Sequence, residues 1–146
     1  MADRTLRKVK LSALLVVFSL CLMSSRIGAV EAEIKIFYVP FAVNTYVPIT
    51  VDNIEQNGYT CKFGIRAHSD TGKSVLHILS SGIDGEIDNN LVRVKIIGPD
   101  TAVFYMDQDG NFHSSKRNKG FTLSKYGFIT LKALLGLTAK IEKCGN

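Results

Sequence analysis

In three runs between positions 33 and 67, apolar residues recur at every second position. Glu33 to Tyr38 sets Ile34 and Ile36 among charged neighbours, Val47, Ile49 and Val51 repeat the spacing, and Cys61, Phe63, Ile65 and Ala67 alternate with Lys62 and Arg66. Successive side chains of extended backbone point to opposite faces, so each run predicts a strand with one buried face. Asp52 to Glu55 has capping-box spacing and Asn57-Gly58 follows it, which predicts a single helical turn before the third strand.

From Ser69 the period lengthens. Ser69 or Asp70 can cap a helix, Val75 and Leu79 stand one turn apart, Leu76 and Ile78 widen the apolar stripe, and Gly82 can close it. The acidic stretch from Ile83 to Asn90 reads as a loop. Leu91–Ile97 and Thr101–Met106 are rich in β-branched and aromatic residues and flank Gly98-Pro99-Asp100, which predicts a hairpin. Asp109-Gly110 marks a second turn, and His113 to Gly120 reads as a polar loop. Ser124 can cap a last helix with Leu123 and Phe128 as a hydrophobic staple. Phe128, Leu131, Leu134 and Leu135 form its apolar face, and Gly136 can stop it. The expected fold class is α+β: an antiparallel sheet with two short amphipathic helices packed on it, in a single domain.

The first residues follow a different pattern. Arg4, Arg7, Lys8 and Lys10 precede an apolar run from Leu11 to Met23, which gives way to Ser24 and Ser25. This is the order of an export signal. Thirteen helical residues span roughly 20 Å, short of the roughly 30 Å hydrocarbon core that an anchor must cross. Residues 1–29 are therefore expected to be a signal peptide cut after Ala29, with Ala32 as a second candidate, and residues 30–146 to form the mature domain. Cys21 lies within the discarded apolar run. The dense charge before that run favours a bacterial envelope, so the expected location is the periplasm or the medium, with no stable membrane span after cleavage.

Cleavage changes the charge balance. The full chain has 18 basic and 13 acidic residues; five of the former (Arg4, Arg7, Lys8, Lys10, Arg26) and Asp3 leave with the signal, so thirteen face twelve. A near-neutral mixed surface gives no support for nucleic acid as a partner, which demands a clustered basic face. Cys61 and Cys144 are the only cysteines left, and in an oxidising compartment they are expected to form a disulfide.

No cofactor, metal site or catalytic set emerges. Asp107-Gln108-Asp109-Gly110-Asn111 resembles the start of a calcium loop, but Phe112 and Asn118 stand where that loop requires glycine and a bidentate acid. His68, His77 and His113 lack zinc-site spacing. No nucleophile elbow is present, and there is no Trp to floor a sugar cleft. The strongest local charge feature is His113 with Lys116, Arg117 and Lys119, suited to an acidic protein partner. Phe37, Tyr38, Phe41 and Tyr46 form an early aromatic group that can anchor an interface. The expected function is an exported, non-enzymatic binding protein of the cell envelope, of the inhibitor, toxin-neutralising or accessory type, with a protein partner. Alternatives are a small hydrolase using Asp107, Asp109 and His113 as a cluster with His113 as base, and a passive structural component of the envelope.

Overall fold

The computed structural model describes residues 31–116, 119–142 and 144. The expected signal peptide, its cut after Ala29, and Arg117 lie outside the described residues. The architecture is α+β: seven antiparallel strands in one sheet, and two helices. The strands are β1 (Glu33–Tyr38), β2 (Cys61–Arg66), β3 (Ile83–Asp84), β4 (Val92–Ile97), β5 (Val103–Asp107), β6 (Asn111–Ser114) and β7 (Lys119–Thr122), in the order β2-β1-β4-β5-β6-β7-β3. Helix α1 spans Asp70–Ser80 and α2 spans Lys125–Ile141.

Two-residue alternation builds the core. Ile34, Ile36 and Tyr38 of β1 stand opposite Ile65, Phe63 and Cys61 of β2, and Ile36 and Tyr38 also oppose Ile96 and Val94 of β4. All of these are buried on one face, with Met106, Phe112 and Phe121 continuing it across the sheet. Val75, Ile78 and Leu79 of α1 and Leu131, Leu135 and Ala139 of α2 join the same core. Ser69 caps α1 by accepting from the Gly72 N–H at 3.0 Å, and Ser124 caps α2 by accepting from the Gly127 N–H at 3.1 Å. Gly72 lets α1 approach the end of β2, since a Cβ there would lie 2.2 Å from the Arg66 carbonyl oxygen.

A smaller cluster of Val39, Ile49, Ile54 and Val92, joined by Tyr105, lies on the opposite face. Val92 pairs with Asp107 and Val94 with Met106, so Arg93 is the extra residue of a β-bulge. The bulge reverses the facing of the strand, which is why Val94 belongs to the large core and Val92 to the small one.

Several expectations need correction. Val47–Val51 is not a strand: Val47 is exposed, and Ile49 makes a single parallel bridge to Leu91. The helical turn begins two residues earlier than Asp52. Asn53 accepts from the Thr50 N–H at 2.9 Å, and the Thr50 carbonyl accepts from Ile54 at 3.1 Å. Ile83–Asp84 pairs with β7 instead of remaining loop. His113 and Ser114 belong to β6 and Lys119 to β7, so the polar loop is the end of a hairpin. Gly136 does not stop α2, because burial of Ala139 one turn after Leu135 extends the apolar face past it.

Candidate binding site

Asp107 and His113 are placed by the β5–β6 turn. The buried Asp107 carboxylate accepts from the N–H groups of Asp109 and Asn111, both at 2.9 Å through Oδ1. Its Oδ2 accepts from the Asp88 N–H at 3.1 Å and the Asn111 amide at 3.0 Å. Four donors fill the carboxylate's lone-pair sites, so Asp107 organises the turn and has no oxygen free for a proton transfer. Asp109 is exposed, and His113 sits in mid-strand opposite Tyr105 and Gly120. Among the described residues, no group of three His, Cys, Asp or Glu side chains is placed to hold a metal ion.

The basic hairpin end is tied to neighbouring turns. Lys116 donates to Asp100 at 2.6 Å and Lys119 to Asp84 at 2.6 Å, both pairs being solvent-exposed. The Lys116 hydrogen bond, aided by the Ala102 N–H, holds the Asp100 carboxyl below the usual carboxylate range. Pairs of this kind contribute little to folding and can exchange partners.

The early aromatic residues separate. Tyr38 is buried, with burial pushing its phenol up against a smaller opposing effect of its backbone hydrogen bond at Phe41. Phe41 packs edge-on against Phe128, with the Lys132 ammonium 4.7 Å from its ring centre. Phe37 lies on the other face with Lys62 and Lys95 at 5.8 and 5.9 Å, and Tyr46 is fully exposed. Lys95 also bonds Glu55. Burial favours its neutral amine, but the bonds to Glu55 and Tyr105 outweigh that and raise its pKa.

A feature not foreseen from the sequence is an apolar cleft of about 470 Å³ between α1 and strands β5–β7. Leu76 and Leu79 form one wall, and Phe104, Phe112 and Phe121 the other. Phe112 and Phe121 stack with centroids 5.4 Å apart. The Lys116–Asp100 pair sits at the rim, so the basic hairpin end borders an aromatic recess. The cleft unites residues from four elements; its sequence signal is limited to the excess of phenylalanine in the second half of the sheet.

Cys61 and Cys144 are disulfide-bonded, with Cα atoms 5.4 Å apart. The bridge joins edge strand β2 to the chain beyond α2. Among the described residues, no helix is long and apolar enough to cross a membrane. No protein-family profile matches the chain, and neither a curated protein nor a solved structure matches it.

Proposed function

We propose that the protein is an exported, non-enzymatic binding protein, acting in the periplasm or outside the cell as an inhibitor, toxin-neutralising or accessory protein. Its partner is a protein that presents an apolar side chain flanked by acidic residues. The observation that carries this reading is the aromatic cleft with Lys116 at its rim. Burying one Leu or Phe there contributes about 1.5 to 3 kcal/mol, the scale of an interface anchor. Lys116, already paired with the exposed Asp100, can transfer to an acid of the partner with little net desolvation, which favours fast association over raw affinity. The saturated carboxylate of Asp107 speaks against the hydrolase alternative.

The test is capture from envelope extracts of the native host, comparing wild type with Leu76→Arg and with Lys116→Glu/Arg117→Glu/Lys119→Glu. Both variants should lose the same stoichiometric protein while keeping the wild-type circular dichroism. Salt should slow association of the wild type. A partner retained unchanged by both variants would move the interface elsewhere on the molecule.

A further inference from the structure

Arg93 occupies an unusual position for a cation. It lies in β4, an interior strand flanked by β1 and β5, and is only 8% exposed. Its carbonyl accepts from the Val39 N–H at 2.8 Å, which fixes the backbone of the bulge. The guanidinium is not matched in the same way. Nε and Nη1 are buried and have no hydrogen-bond partner among the described residues. Those two nitrogens carry three of the five N–H donors of an arginine. Burying two guanidinium nitrogens without partners is unfavourable, and a hydrophobic residue would serve packing better at this position.

Arg93 is one of the residues lining a second cavity, of about 380 Å³, formed where residues 44–49 run beside residues 90–93. Asn44, Thr45 and Asn90 line it with polar side chains that make no hydrogen bond to another described residue. Pro48, Ile49 and Leu91 add apolar wall, and the exposed Tyr46 stands at the margin. Among the described residues, Arg93 is the only charged one lining the space. The recess therefore combines one buried positive charge, uncommitted amide and hydroxyl groups, and an apolar surface, within the size range of small-ligand sites.

We infer that the Arg93 recess binds a carboxylate, with the guanidinium taking the anion and the apolar wall taking the organic body attached to it. A single cation balances a monoanion, whereas a phosphate dianion would leave a net negative charge in a partly closed site. The planar guanidinium suits the planar carboxylate. This site is separate from the aromatic cleft and goes beyond the protein-binding reading. The carboxylate can come from a free organic acid or from the end of a peptide chain, and the chemistry at Arg93 is the same.

The test uses the disulfide-bonded mature chain, following the Arg93 Nε–H signal and backbone amides by NMR at constant ionic strength. The probes are benzoate, the tripeptide Gly-Gly-Phe with a free or amidated C-terminus, inorganic phosphate and chloride. Saturable shifts centred on Arg93, Asn44 and Asn90 with benzoate assign a free acid as the source. Shifts with the free-terminus peptide alone assign a chain end, and either result supports the site. Arg93→Met should abolish the response while leaving the unliganded protein at least as heat-stable as wild type. Asn90→Ala, at the exposed rim, should weaken binding several-fold and keeps the test open should Arg93→Met fail to fold. The inference is overturned if no carboxylate gives a saturable shift, if chloride or phosphate does equally well, or if Asn90→Ala and a folded Arg93→Met bind like wild type.

Discussion

Two side chains carry more of the local structure than their types suggest. Asp107 is the acceptor for three backbone N–H groups and one side-chain amide, so its carboxylate replaces what a regular ladder would otherwise supply. Asp107→Ala should cost about 2 to 4 kcal/mol in urea unfolding, as buried donors lose their acceptor, and Asp107→Asn clearly less. Lys95 is held charged by Glu55 and Tyr105 against the effect of burial. With its folded pKa above the unfolded value, its stabilising contribution is present below about pH 10.5 and is lost as pH rises through the folded pKa. The raised pKa of Tyr38 acts in the same direction. Melting temperature should therefore fall with increasing alkalinity above about pH 10. In Glu55→Gln the fall should be shallower, since burial then opposes the charged form with less to offset it.

Among the elements, those with a single uninterrupted period were legible in the sequence. β1, β2 and both helix starts follow from alternation and capping residues, because each signal is local. Helix α2 provides a direct check on what holds it. Leu131 is fully buried, so Leu131→Ala should cost about 2 to 5 kcal/mol, whereas Ser124→Ala should cost about 1 kcal/mol. Equal and small losses in denaturant titrations would show that the helix is not packed through that face. The elements that were misread depend on partners distant in the chain. Ile49 alternates with Val47 and Val51, yet of the three only Ile49 forms a backbone bridge, to Leu91, and Val51 joins the small cluster through its side chain alone. β7 contains Gly120 and Lys119 and has weak strand character of its own; pairing with β6 and β3 makes it a strand. Gly120 is useful there, since a Cβ would lie 2.2 Å from the Gly85 carbonyl oxygen. Val92-Arg93-Val94-Lys95 alternates so regularly that nothing in it signals a bulge. The recesses were the least legible features of all, because they arise where separately readable elements meet.

At the scale of the whole molecule, the Cys61–Cys144 bond closes a loop over a separation of 83 residues. Loss of a closure this long removes about 4 to 5 kcal/mol at most on chain-entropy grounds. Cys61→Ser or Cys144→Ser should lower the urea midpoint without changing the wild-type secondary structure, and a reducing agent should have no further effect on either variant. The same covalent ring also decides how the molecule answers a mechanical load. It contains every element from β2 to α2, while β1 stands outside the ring in sequence yet inside the sheet, between β2 and β4. Between handles at Ala32 and Glu142, force in the oxidised protein crosses the sulfur bridge, and the load path holds roughly 31 residues or about 110 Å of contour. After reduction the path runs through roughly 110 residues, or about 390 Å. Single-molecule extension should thus show a short first release as β1 is drawn out from between its two neighbours, leaving the long arm of the ring, from β2 through α2, shielded from tension until the bridge is cut.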